Sequence, residues 1–456
     1  MIGITLFILA LFCYYNSSNR YFCIFLLLAI ATAGFQMIPV ELVIMPPIGI
    51  TKPYDWLLVF CATIFILSPK VFLRLDVWNQ YKNIVLFALL LIFLLLYSIY
   101  YRGVEISISL RVFRNFTFFL LIFIFINISI QDYTKIFKLI IYVTTFASIL
   151  YCLQSLTGSI LLNSVGSNLV TTNDEGSLTR YYNLPVFIFP VVFFFFFSKE
   201  TFQLRLRNIL IVINFLAIIM SQHRNLLLAI MCCYLLHLFL SKKIKPVRLF
   251  IYTSMLIIAF SVGNSLLSKR FSDGIKDLSE ASVSVSPTTL NALSVNQLST
   301  TEFRWYLFAE RLQYVLLKPT TSLFGIGLLT EDSRLTSLLR FNIGLPDEAN
   351  GVTQVDMGDI IWSVLILQFG IAGVLFFIIY YISFLAKFLI YKTNPVTQIG
   401  ILLIVVLFIT SFYGTSILQP YTTCMLMLFA AYHFVLTEAQ KPEAHNPRIQ
   451  PDKNNV

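Results

Sequence analysis

The chain has 456 residues, of which 58% are hydrophobic and only 12% charged. A soluble protein carries about one charged residue in four, so this composition excludes the soluble globular class and points to a polytopic membrane protein. The net charge of +10 lies largely in short loops between apolar runs, as membrane orientation requires, so nucleic acid is not an expected partner.

Taken in chain order, apolar runs approaching the roughly 20 residues of a membrane span occupy 2–15, 21–37, 55–68, 83–99, 113–131, 137–156, 184–198, 208–222, 225–240, 249–265, 360–386, 399–414 and 417–436. They predict an all-α polytopic membrane protein of about 12–13 transmembrane helices, the first hairpin being the least defined. Residues 1–15 lack a basic leader region and read as the first span rather than a cleavable signal. Phe193 to Phe197 form an unbroken run, apolar all round and suited to lipid. Ser221-Gln222-His223-Arg224-Asn225 separates two spans, because five polar residues in a row are costly in hydrocarbon. Cys13, Cys23, Cys61, Cys152, Cys232, Cys233 and Cys424 all sit inside apolar runs. They show no metal-ligand spacing and read as small buried apolar residues.

Basic residues orient the chain. Lys70, Arg74 and Lys82, then Lys199, Arg205 and Arg207, then Lys242, Lys243, Lys245 and Arg248, and finally Lys387 and Lys392 fall by parity on one side, expected to be cytoplasmic. The organisation that follows has N-terminal spans over 1–265, a large exported loop over 266–358, C-terminal spans over 359–436 and a disordered cytoplasmic tail over 437–456. The loop 266–358 carries 8 Lys and Arg against 10 Asp and Glu, a net of −2, in keeping with export. Its segment 279–301 is rich in Ser, Thr, Val and Asn and is predicted to be irregular. Phe303, Leu307, Phe308, Leu312, Val315 and Leu316 recur at helical spacing and predict an amphipathic helix over 302–318 at the membrane surface. Lys318-Pro319 ends it, and Gly325 and Gly327 mark a tight turn.

Several polar groups gather on the exported side. They are Arg180 and Tyr181 at the end of the loop 158–183, His223 and Arg224 at a span end, Arg304 and Arg311 on the amphipathic helix, and Asp356 and Asp359 before the next span. Arginine presents a planar fork of donors that matches phosphate, and a nearby carboxylate can take a proton. Each residue also has a plainer reading. Arg224 can snorkel to the interface, Arg180 can be a solvated loop charge, Arg304 can meet lipid headgroups, and Asp359 can cap a helix. His223 can be an interfacial residue, and Tyr181 and Tyr182 interfacial aromatics.

The order of these groups carries a resemblance. Arg180 with Tyr181-Tyr182-Asn183-Leu184-Pro185 leads into a span. Ser221-x-His223-Arg224 followed by Asn225-Leu226-Leu227-Leu228-Ala229 resembles a helix start of the O-antigen ligase and polymerase superfamily. Arg304-Trp305, thirteen residues, Pro319 and then Leu323-Phe324-Gly325-Ile326-Gly327 is similar to the Arg…Pro-Leu-x-Gly-x-Gly segment of that superfamily's large periplasmic loop. Asp359, ten residues, then Gly370-Ile371-Ala372-Gly373 resembles the segment that leads into its next span. Together these cover about residues 150 to 390.

The resemblance implies a Wzy-type polysaccharide polymerase. Such an enzyme transfers a growing glycan from undecaprenyl pyrophosphate to a sugar hydroxyl of a new lipid-linked repeat unit, at the periplasmic face of the bacterial inner membrane. The donor is already activated, so no metal or other cofactor is implied. The implied partners are the lipid-linked oligosaccharide, the bilayer and a chain-length regulator protein. Arg224, Arg304, Asp359 and Asp356 would be catalytic, and Arg180, Tyr181, His223 and Arg311 would hold pyrophosphate or glycan. Ligases of the superfamily carry a His where this chain has Asp359, which favours a polymerase. That departure leaves the base open among Asp359, Asp356 and Glu310. The alternatives are a ligase joining polymer to lipid A-core and a lipid-linked oligosaccharide transporter. Against the transporter stands the lack of an internal sequence repeat.

Overall fold

The computed structural model describes residues 2–165, 172–175, 178–197, 202–241, 300–339, 341–343, 345–347, 351–355 and 360–440. The expected span 249–265, all but the last two residues of the irregular stretch 279–301, and both Asp356 and Asp359 lie outside them. The described chain is predominantly helical, with two short antiparallel hairpins.

Four helices are long and apolar enough to cross a membrane alone: Lys82–Tyr101, Ile130–Thr157, Ile361–Ile390 and Pro420–Gln440. Three bent pairs raise the number to seven if each pair counts as one span, and three more apolar helices are shorter. The described residues thus form fewer full-length spans than the 12–13 expected, and the local chemistry accounts for the breaks. Ile2–Tyr15 ends at Asn16, whose side chain caps the following turn at Ser18 N, and the chain turns by 118° into the next helix. Asp55–Leu67 stops before Ser68-Pro69, and the pair is bent by 108°, since proline removes a helical donor and clashes with the preceding turn. The polar run does separate two helices, Arg207–Met220 and Arg224–Ser241, through residues 221–223, with its last two residues opening the second helix. The final helix extends to Gln440, past the expected start of the tail at residue 437.

The core is aromatic. Phe193, Phe194 and Phe195 are buried inside the protein rather than presented to lipid. Phe194 packs on Phe137 with ring centroids 5.2 Å apart and on Phe202 at 4.8 Å. Their helix stops at Phe194, and Arg207 donates to the carbonyls of Phe195 and Phe197 at 2.5 and 2.7 Å, satisfying the end of the segment. Between helices, Asn214 accepts from Ser148 Oγ at 2.9 Å and donates to Thr145 Oγ1 at 2.8 Å, the kind of polar tie that holds apolar helices together. Six of the seven cysteines are buried and all are free thiols.

The amphipathic helix forms over Thr300–Leu316 and stops before Lys318 as expected; Pro319 then opens a short helix to Phe324. Its apolar face is covered by the protein itself. Phe303, Tyr306 and Leu307 pack with Ile343 and Ile360, while Val315 packs with Val104, Ile108, Ile326 and Leu329.

The turn that follows is locked by backbone contact. Gly325 has φ 71° and Gly327 φ 107°. The long helix Ile361–Ile390 is broken at Gly370, with φ 66° and ψ −174°. A Cβ on Gly370 would stand 2.4 Å from Gly325 N, and one on Gly325 2.5 Å from Leu367 O. The break frees the Leu367 carbonyl, which accepts from Ile326 N at 2.8 Å. Gln368 Nε2 donates to Leu329 O at 2.8 Å. Irregular backbone of this kind is tolerated in an apolar setting because the protein satisfies it. The segment is pinned on its other flank too. Ser98 Oγ accepts from Leu328 N at 2.7 Å, Arg102 Nε donates to Ile326 O at 3.2 Å, and Glu105 accepts from Ser333 Oγ at 2.8 Å and Arg334 N at 3.0 Å. The two glycine motifs read separately in the sequence are one joint.

Candidate anion site

The described part of the loop 158–183 includes a hairpin, Thr172–Glu175 paired with Leu178–Tyr181, in which Asn173 opposes Arg180 and Thr172 opposes Tyr181. Successive side chains of a strand point to opposite faces. Tyr181 therefore turns inward and is 0% exposed, in a core cluster with Tyr151, Ile188 and Leu227. Its carbonyl accepts from Tyr151 OH at 2.8 Å. Arg180 and Tyr182 take the other face. The Arg180 guanidinium lies 4.5 Å from the centre of the Tyr182 ring, a cation–π contact, and Tyr182 stays 45% exposed. The structure thus corrects Tyr181 as a substrate contact: it is a core residue, and Tyr182 is the aromatic at the site.

His223 ends the turn between Arg207–Met220 and Arg224–Ser241. The turn is tight, with Gln222 in the left-handed region at φ 55°, a conformation that a non-glycine residue adopts at a cost. Arg180 Nη2 contacts His223 Nδ1 at 3.1 Å. Arginine only donates, so Nδ1 is the acceptor and the ring proton sits on Nε2. The Tyr182 ring packs edge-on to the imidazole at 5.7 Å. Burial first, then Arg180 and Arg304, push the His223 imidazole down to about 4, so it is neutral at neutral pH.

Arg304 completes the group from Thr300–Leu316. It acts on His223 and also on Tyr413, in the turn after Pro395–Thr410. Burial raises the Tyr413 phenol, Cys232 adds to this, and Arg304 opposes it. Two guanidiniums from distant parts of the chain thus bear on one neutral imidazole. Arg180 Nε is shielded from solvent and meets no acceptor among the described residues. The helix Arg224–Ser241 begins directly after His223, so the positive end of its dipole lies beside them. Like charges repel, and this group brings together donors whose common complement is an anion. The side chain of Arg224, the first residue of that helix, lies outside the described atoms, as do both aspartates.

Arg311 takes no part. It is 1% exposed, pairs with Glu310, donates to Gln354 O at 3.3 Å and lies 4.1 Å from the centre of the Phe341 ring. Burial lowers it to about 10, opposed by Glu310 and Glu331. It is a structural cation, seven residues and about 10 Å along the helix from Arg304. The Glu310 carboxylate likewise accepts from Asn342 N at 2.7 Å and Ile343 N at 3.1 Å, which ties it to the backbone of the loop. Tyr182 and Tyr413 are the site residues that the sequence left unassigned. Gly176-Ser177, flanked by two short runs, is a hairpin signal that would have assigned the faces of Tyr181 and Tyr182, whereas nothing local marks Tyr413. No family model matches this chain, and no curated protein does.

Proposed function

We propose that the protein is a polysaccharide polymerase of the Wzy type. It acts at the periplasmic face of the inner membrane and extends a glycan carried on undecaprenyl pyrophosphate. The observation that carries this reading is the contact of Arg180 with His223 at 3.1 Å, with the charge of Arg304 also felt at that imidazole, beside a helix start, in a chain whose apolar helices suit a membrane. A lipid-linked sugar donor brings a pyrophosphate to the membrane–water boundary. In the reaction, the acceptor hydroxyl oxygen attacks the anomeric carbon of the donor. The bond from that carbon to the pyrophosphate oxygen breaks, and its electron pair leaves with the pyrophosphate. Arg180, Arg304 and the His223 Nε2–H would stabilise that charge; one well-placed donor is worth about 3–4 kcal/mol in such a role. Arg224 is assigned to the same group from its place in the chain. The hydroxyl proton passes to a carboxylate, Asp359 or Asp356.

The test is the length of surface glycan in a deletion strain complemented with Arg180→Ala, Arg224→Ala or Arg304→Ala, each shown to insert normally. The expected result is single-repeat glycan on the lipid core. Long chains from the Arg180 and Arg304 variants would refute the reading. In a deletion strain, polymer retained on undecaprenyl carrier would indicate a ligase, and repeat units facing the cytoplasm a flippase.

A further inference from the structure

A third stretch of chain, remote in sequence from the arginines, holds the Arg180 wall in place. After the helix Arg20–Ala31, four consecutive residues adopt positive φ: Ala33 at 48°, Gly34 at 63°, Phe35 at 57° and Gln36 at 71°. Three of these are not glycine, and each such conformation costs on the order of 1–3 kcal/mol, so the surroundings must enforce them. What the turn delivers is Gln36, only 2% exposed. Its Nε2 donates to Asn163 O at 3.2 Å and to Asn183 O at 3.1 Å. Its Oε1 accepts from Val186 N at 3.0 Å. Its own carbonyl accepts from Asn163 N at 2.8 Å and from Asn163 Nδ2 at 3.2 Å.

One side chain thus ties both ends of the loop that bears Arg180. Neighbouring amides complete the brace. Gln154 Nε2 donates to Asn183 Oδ1 at 3.1 Å, Gln154 Oε1 accepts from Leu162 N at 3.0 Å, and Asn183 Nδ2 donates to Leu162 O at 2.5 Å. Asn183 directly follows Tyr182, the ring beneath Arg180. We infer that Gln36 is a positioning residue, which fixes Arg180 and Tyr182 against His223 through the backbone of residues 183–186. This rests on the anion-site reading for its functional meaning, but not for its geometry.

His223 reports on the geometry directly, because its Nδ1 accepts from Arg180. Protein in lipid nanodiscs, labelled with 15N-histidine, gives imidazole signals for four histidines, and loss of one in His223→Gln assigns the site. Gln36→Leu is expected to move the His223 Nδ1 signal most of the way to its position in Arg180→Ala, with little further change in the double variant. Gln36→Glu, which keeps shape and acceptor but removes both donations, is expected to do the same and covers the case in which Gln36→Leu does not fold. An unchanged His223 signal in a folded Gln36 variant overturns the proposal. So does a Gln36 effect that adds in full to that of Arg180→Ala, since a general loss of structure would add. Inorganic pyrophosphate provides a separate arm, in which Gln36→Leu is expected to weaken binding about tenfold or more in wild-type background and to add little in Arg180→Ala. If wild-type protein shows no pyrophosphate binding, the functional reading fails while the imidazole signal still decides the positioning role.

Discussion

The two walls of the candidate site are held by different physics. The Arg180 wall is fastened by side-chain amides, Gln36, Gln154 and Asn183, around a left-handed turn. Behind Arg304, the Thr300–Leu316 helix leads into a backbone-on-backbone joint between Gly325 and Gly370, where even a methyl group has no room. An amide brace can be loosened one hydrogen bond at a time, each worth about 1 kcal/mol. A glycine joint admits no intermediate, because the smallest substitution meets both a positive φ and a backbone clash. The first wall can be adjusted bond by bond, whereas the second holds the turn that follows the Arg304 helix rigidly.

The largest expected effect falls on the pair of tyrosines that the hairpin separates. Tyr181→Ala should cost about 3–5 kcal/mol of stability, as large-to-small core substitutions do, whereas Tyr182→Ala should cost less than about 1 kcal/mol and act instead on anion affinity. Unfolding in detergent with a tryptophan readout checks both, and equal losses would break the assignment of faces. Next comes the joint itself. Gly370→Ala should lower stability by about 2–4 kcal/mol, while Asn183→Ala, in the amide brace, should lower it by about 1–2 kcal/mol. Comparable values would erase the contrast between the walls.

A smaller effect follows from His223. Its folded value of about 4 lies below the ordinary 6.5. The opened chain therefore takes up a proton first as pH falls. The stability that the neutral imidazole contributes is complete above about 6.5 and is lost as pH drops towards about 4. Hydrogen exchange, corrected for its intrinsic rate, should show the amides of residues 180–184 and Val186 opening more readily at about pH 5 than at about pH 7.5. Amides 325–329, in the glycine joint, should not respond. Response of both segments alike would mean that the walls are not separate units.

Much of this arrangement was legible in the sequence, for reasons that differ by residue. The helix over Thr300–Leu316 and its stop before Lys318-Pro319 follow from a 3.6-residue period and proline chemistry. The turn at residues 221–223 follows from the cost of the polar run 221–225 in hydrocarbon. Arg180 and Arg304 were selected because arginine suits phosphate; Arg180 contacts His223, and the charge of Arg304 is felt at the same imidazole. Arg311 was selected on the same grounds, but sequence spacing gives the face of a helix and not which residues cover it. The Phe193–Phe197 run illustrates the same point, since composition cannot tell a lipid-facing phenylalanine from one facing protein. Gln36 was invisible because nothing local announces a run of left-handed residues without a glycine at each position. The count of full-length spans among the described residues is lower than the run count because an apolar run of about 14 residues, about 21 Å as helix, is shorter than a bilayer core of about 30 Å.

The central claim is that Arg180 and Arg304 form one anion site with His223. Calorimetric titration of the protein in nanodiscs with inorganic pyrophosphate tests it most directly. The account predicts binding by the wild type, weakened by about tenfold to a hundredfold in Arg180→Ala and in Arg304→Ala, and retained in Lys318→Ala, a cation on the same loop but outside the group. Binding that survives both arginine substitutions, or that falls equally in Lys318→Ala, would contradict it.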